Sequence, residues 1–191
     1  RDLMKTQVKL ERLVERGIAL GGEQSESRLI DAILDGAKDL AQADGATLYM
    51  LREDELHFEN MKNDSLGIQY GGDSGSPTGF VPVPLWDPQT QEPNYRNVAS
   101  YCALIGETVV IDDAYNNDKF DFSGTKRVDA QNGYRSQSFL TVPLKPRGKS
   151  VIGVLQLINA KNEETGEVGP FDKEIVSFVE ALASQAAVCL L

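Results

Sequence analysis

Histidine and cysteine are scarce, and each shortage closes a class of chemistry. The single histidine of the 191 residues, His57, lies in a strand-like stretch with no companions for a metal site and nothing to orient it in a Ser-His-Asp set. The two cysteines, Cys102 and Cys189, sit among apolar neighbours and read as buried, reduced thiols rather than a disulfide. Positive charge is also short: 19 Lys and Arg against 29 Asp and Glu give a formal net charge of −10. That sign disfavours nucleic acid and an anionic membrane surface as partners. No apolar run approaches the roughly 20 residues of a spanning helix, and no signal-peptide pattern is present. A cytoplasmic protein without metal or cofactor is the expectation.

What is present is an alternation of amphipathic helices and strands. Over residues 1–20, Leu3, Leu10 and Gly17 recur every seven positions, as do Thr6, Leu13 and Leu20, a short heptad seam broken by Gly21-Gly22. A second helix is expected from Ser27 to Ala43, with Leu29, Ile30, Ile33, Leu34, Ala37, Leu40 and Ala41 on one stripe and Asp44-Gly45 as its stop. Ala46–Leu51 and Leu56–Lys62 read as a hairpin around a charged turn.

Residues 63–94 read as loop-rich. Their glycines are not followed by Gly-Lys-Ser/Thr, so a nucleotide triphosphate loop is excluded. Val81, Val83 and Leu85, interleaved with two prolines, suggest an edge strand. Asn97 caps a short helix, Val98–Ile105, which Gly106 ends. A strand over Thr108–Ile111 precedes a long polar loop from Asp112 to Arg135, with Phe120 and Phe122 embedded in it. Loops of that length in a compact domain are usually functional.

Two central strands follow, Ser138–Leu144 and Val151–Asn159. A last helix begins near Phe171, with Ile175, Val179, Leu182, Ala186 and Cys189 on a heptad seam. The chain opens on Arg1-Asp-Leu-Met and stops inside a helical pattern, as a module of a longer protein does. The fold class is α+β, an antiparallel sheet with helices packed on it.

Several stretches together resemble a GAF domain over roughly residues 25–190. They are Ala43-Asp-Gly-Ala-Thr-Leu-Tyr49, Asn97-Val-Ala-Ser-Tyr101, Gly106-Glu-Thr-Val-Val-Ile-Asp-Asp-Ala-Tyr115, Gly133-Tyr-Arg-Ser136, Leu140-Thr-Val-Pro-Leu144 and Val151-Ile-Gly-Val-Leu-Gln-Leu-Ile-Asn159. The chain is most similar to the cyclic-nucleotide-binding branch of phosphodiesterases and bacterial adenylate cyclases. It also resembles GAF modules fused to bacterial HD-GYP or diguanylate cyclase domains.

The resemblance implies a six-stranded antiparallel sheet with helices on both sides, and long terminal helices forming a dimer bundle. Residues 1–22 would be a connector helix, 23–170 the ligand-binding core, and 171–191 a connector to an output domain outside the segment. It implies a regulatory module that senses cAMP or cGMP. The purine would meet Asp129, Asn132 and Ser136, with Asn63 and Asp64 at the hairpin end. The cyclic phosphate would meet the backbone of Val98 and Ala99, at a helix N-terminus suited to an anion.

The branch's Asn-Lys, Phe and Asp-Glu signature has counterparts in Asn159, Lys161 and Phe171. Ala160 intervenes in the first pair, and Asp172-Lys-Glu174 follows the Phe at once. These residues are expected to brace the fold. A dimerisation spacer with a vestigial pocket, or with a different small ligand, is the alternative. The methionine sulfoxide reductases of the family use several cysteines where this chain has Cys102 alone, and bilin attachment needs a Cys-His pair. The segment is therefore not expected to be an enzyme.

Overall fold

The computed structural model describes residues 26–74 and 79–191. The helix expected over 1–20 and its Gly21-Gly22 break lie outside the described residues.

Helix α1 (Glu26–Ala41) buries Leu29, Ile30, Ile33, Leu34, Ala37, Leu40 and Ala41, the stripe its periodicity defines. It stops earlier than expected. Gln42 turns left-handed at φ 55°, so Asp44 and Gly45 belong to strand β1 (Ala43–Arg52) and do not cap the helix. The hairpin closes with β2 (Glu55–Asn63) through Glu53 and Asp54, both at positive φ. Within the stretch read as loop, Ile68–Gly71 forms β3, antiparallel to the end of β2. The proline-rich edge strand shrinks to Val83–Pro84 (β4), because prolines have no N–H for the ladder.

Helix α2 (Val98–Ile105) forms where its caps place it. Asn97 Oδ1 accepts from Ser100 N at 3.1 Å, and Gly106, at φ 73°, returns its N–H to Cys102 O. Strand β5 (Val109–Ile111) follows. The segment 112–135 is not one loop. A 3-10 turn over Ala114–Asn116 precedes a ten-residue helix, α3 (Ser123–Asn132), which Gly133 ends at φ 62°. No apolar stripe marks α3, and Asp129 is its one buried residue. Strands β6 (Phe139–Leu144), β7 (Gly153–Lys161) and the short β8 (Val168–Gly169) lead to α4 (Lys173–Cys189), which Asp172 caps at Ile175 N.

The strands join in the order β3-β2-β1-β7-β6-β5, all antiparallel, with β4 added on β2 and β8 on β7. The six-stranded path matches the expectation. On one face α1 and α4 pack over Ala46, Leu48 and Met50 of β1, Leu140, Val142 and Leu144 of β6, and Leu155 and Leu157 of β7. Each fully buried leucine there contributes about 1.5–3 kcal/mol. By strand alternation the opposite face carries Thr47, Tyr49, Phe139, Thr141, Val154, Gln156 and Ile158. Helix α2 covers part of it, with Ala99, Cys102 and Ala103 against Tyr49, Leu56 and Val154.

Candidate functional site

The second face of the sheet is unusual in being both buried and polar. The register aligns Thr47, Gln156 and Thr141 in one row across β1, β7 and β6, and all three are buried. Thr141 Oγ1 donates to Gln156 Oε1 at 3.0 Å, and Tyr49 hydrogen-bonds the same glutamine side chain. Burial raises the Tyr49 phenol well above its ordinary value, so it stays neutral. The row lay inside strands whose apolar neighbours mask it, although the period-two alternation could have exposed it.

Near this face, α3 is held by a carboxylate. Asp129 accepts from Ser136 N at 2.8 Å, Ser136 Oγ at 2.8 Å and Tyr115 Oη at 2.6 Å. Asp129 and Ser136, predicted as neighbours on a ligand, are thus bonded to each other. The bond to Asp129 raises the Tyr115 phenol above its usual value. Arg135 lies over the Tyr115 ring, its Cζ 4.1 Å from the centroid, and Lys126 Nζ is 5.4 Å from the same centroid. Asn132 is exposed at the end of α3, where its Nδ2 donates to Val128 O at 2.8 Å.

A second carboxylate gathers the other end of the site. Asp44 accepts from Lys161 Nζ at 2.6 Å, Tyr134 Oη at 2.6 Å, Ser65 Oγ at 2.9 Å and Ser65 N at 3.1 Å. Burial alone would raise its pKa, but the bonds from Lys161, Tyr134 and Ser65 outweigh it and hold the carboxyl below its ordinary value. Asn63 and Asp64 belong to this end. Asn63 Oδ1 accepts from Leu66 N, and Asp64 accepts from Lys38 Nζ at 2.7 Å.

Asn159 completes the frame from a left-handed conformation, φ 62°. Its Oδ1 accepts from Gln137 N and Ser138 N, and its Nδ2 donates to Tyr134 Oη and Arg135 O. With Lys161 on Asp44 and Phe171 buried in the core, Asn159, Lys161 and Phe171 all brace the fold. Tyr115, Tyr134 and Asp44 were not legible as site residues, since their side-chain partners include Asp129, 14 positions from Tyr115, and Asp44, 90 positions from Tyr134.

The first turn of α2 lies beside an aromatic cluster. Val98 packs with Ile111, Ala114, Phe120, Phe122 and Phe139, and Ala99 is buried in the neighbouring cluster. Tyr101, Phe120, Phe122 and Phe139 form a chain of ring contacts with centroids 5.1, 6.3 and 5.3 Å apart. Arg96 clamps this stretch by donating to Asp118 O and Lys119 O and accepting on its own carbonyl from Asp121 N. Lys119 Nζ donates to Tyr101 Oη at 2.9 Å. Cys102 is fully buried and its thiol is pushed up to about 12, while Cys189 is also free. Among the described residues no helix is long and apolar enough to cross a membrane.

Known proteins agree with this architecture. The chain is 37% identical over 86 residues, 45% of its length, to the dual 3',5'-cyclic-AMP and -GMP phosphodiesterase 11 of Drosophila melanogaster, and that stretch is 5% of the relative. It is 34% identical over 88 residues, 46% of its length, to phosphodiesterase 11A of Takifugu rubripes, 9% of that protein. The match thus spans under a tenth of either phosphodiesterase.

Among solved structures, the GAF domain of a phosphoenolpyruvate-protein phosphotransferase from Coxiella burnetii superposes with a TM-score of 0.70 at 13% identity, covering 98% of this chain and 94% of that one. A free methionine-R-sulfoxide reductase from Neisseria meningitidis does so at 0.61 and 15%, covering 95% and 87%. Both likenesses bear on the fold alone. The GAF domain family model matches residues 25–190, nearly the whole of the sheet and helices described above, and the chain belongs to that family.

Proposed function

We propose that this chain is the regulatory sensing segment of a signalling protein and that it binds a cyclic nucleotide, cAMP or cGMP, beneath α3. The observation that carries the reading is the anchoring of α3. This helix buries one side chain, Asp129, and that carboxylate accepts from two hydroxyls and one N–H, a set in which a purine N–H could take a place. A purine N–H can take the place of the half-buried Tyr115 hydroxyl on Asp129, one hydrogen bond exchanged for another, with the Ser136 N–H and hydroxyl left in place. The polar row Thr47, Gln156 and Thr141 gives the sheet face the few fixed polar groups that orient a ligand. The sequence likeness to phosphodiesterases, confined to their GAF region, supports the same ligand class.

Occupancy would be relayed from α3 through Tyr134 to Asp44 and Lys161, next to β8 and the start of α4. A ligand that prefers one arrangement of this frame shifts its population. Asn63, Asp64, Asn132 and the backbone of Val98 and Ala99 complete the proposed contact set, and the terminal helices would pair two copies. The segment itself is read as non-enzymatic. A thiol titrating at about 12 is not the thiolate a cysteine nucleophile requires.

The packed Phe120, Phe122 and Phe139 favour one competing reading, a pairing scaffold with a filled pocket. A thermal-shift titration with cAMP and cGMP separates the two. Binding to the folded state raises the melting temperature with concentration. A flat response to both nucleotides at saturating concentration leaves the scaffold.

A further inference from the structure

We infer that Arg135, braced by Tyr115 and assisted by Lys126, recognises the anionic phosphodiester of the nucleotide; this rests on the cyclic-nucleotide reading above. Residues 119–135 carry Lys119, Lys126, Arg127 and Arg135 against Asp121 and Asp129, with Asp112, Asp113 and Asp118 just before them, so these cations stand among carboxylates.

The geometry of Arg135 is that of a cation with unused donors. Its guanidinium carbon lies over the Tyr115 ring, 4.1 Å from the centroid. Among the described residues its one ion-pair partner is Asp113, at 3.8 Å, too far for a hydrogen bond. That carboxylate already accepts from Tyr115 N at 3.0 Å and Asn116 Nδ2 at 2.6 Å. The Arg135 side chain is 55% exposed. A guanidinium held over an aromatic ring and half exposed keeps donors that suit a phosphate.

Tyr115 supplies the link between the two ends of the ligand. Its hydroxyl is on Asp129, which reads N–H groups of a base, and its ring carries Arg135, which reads the phosphate. One side chain therefore contacts both a carboxylate and a cation.

Calorimetric titration of the chain with cAMP, cGMP and the parent nucleosides adenosine and guanosine tests this. Arg135→Gln is expected to weaken the preferred cyclic nucleotide about tenfold or more, the size of a lost charged hydrogen bond, and to leave its nucleoside unchanged. Arg135→Lys should restore part of the loss. Raising the salt should weaken the wild type more than Arg135→Gln. Tyr115→Phe keeps the ring and should keep the advantage of nucleotide over nucleoside.

Equal losses for nucleotide and nucleoside in Arg135→Gln would mean that the arginine only supports the loop, and the inference would fall. Cyclic-nucleotide binding untouched by Arg135→Gln would overturn it while the sensing function stood. A wild type that takes neither nucleotide nor nucleoside overturns both.

Discussion

Where α1 and α4 meet the sheet, the contact is made of leucine, isoleucine, valine and alanine; where α2 covers the other face and α3 is anchored nearby, carboxylates, hydroxyls and aromatic rings do much of the holding. Leu34, Leu48, Leu140, Leu155 and Leu157 are fully sealed on the first side. On the second, α3 is fastened by Asp129 and, just past its end, by Tyr134 on Asp44. Apolar packing is non-directional and costs a great deal to open at any one point. Directional polar bonds can be exchanged for equivalent ones from a ligand. One side is therefore suited to permanence and the other to response.

The largest test of that contrast is a truncation in the apolar layer. Leu157→Ala or Leu34→Ala is expected to lower unfolding stability by about 2–5 kcal/mol, read from urea melts. A loss below about 1 kcal/mol at both positions would mean that the helices rest loosely on the sheet, and the distinction between the faces would fail.

Asp44→Asn should cost less, about 2 kcal/mol, because Lys161 is partly exposed and the loss of its partner is softened by water. The pH dependence makes the test specific. Asp44's folded pKa is depressed, so the stabilisation it gives is present above the unfolded value, near 3.9, and disappears as pH falls through the folded value. Urea melts taken from neutral pH down into the acid range should show the wild type losing stability from about pH 4 downward, and Asp44→Asn losing less over the same range. Parallel curves for the two proteins would remove Asp44 from its central place. Asp113 and Asp121, also depressed by local hydrogen bonds, supply the slope that remains in the variant.

The same contrast explains what could be read in advance. The apolar stripe of α1 and the caps Asn97 and Gly106 follow from periodicity and local chemistry, and they appear where those rules put them, while Val179, Leu182 and Ala186 of the heptad pattern in α4 are buried in this chain's own core. Helix α3 escaped because periodicity records burial, and a helix anchored through one aspartate buries almost nothing. Strand β3 escaped because four residues ending in Gly71 leave too short a pattern. In the candidate site, Asp129 and Ser136 were close enough in sequence to be associated. Asp44 looked like a helix stop, and its meeting with Tyr134 and Lys161 depends on the whole sheet being formed.

Asp129→Ala carries the contrast onto α3 itself. It leaves the buried Ser136 hydroxyl and N–H without their acceptor and frees Tyr115, at an expected cost of about 1–3 kcal/mol. Amide hydrogen exchange over 123–136 should rise sharply while exchange in β6 and β7 stays slow, since opening is local on this side. Equal acceleration throughout the sheet would mean that the two faces unfold as one unit.

The smallest effect is expected at Asn132, and it discriminates best between support and recognition. Its one bond, from Nδ2 to Val128 O, is exposed and lies within α3, so its loss changes little. Alanine is also the better helix former, by about half a kcal/mol. Asn132→Ala should therefore leave stability within about 0.5 kcal/mol of the wild type. If Asn132 touches the base, cyclic-nucleotide affinity should nevertheless fall by about 1 kcal/mol, roughly fivefold. A variant with unchanged stability and unchanged affinity would remove Asn132 from the contact set, because an exposed amide that neither supports α3 nor meets the ligand has no part in the response of this face.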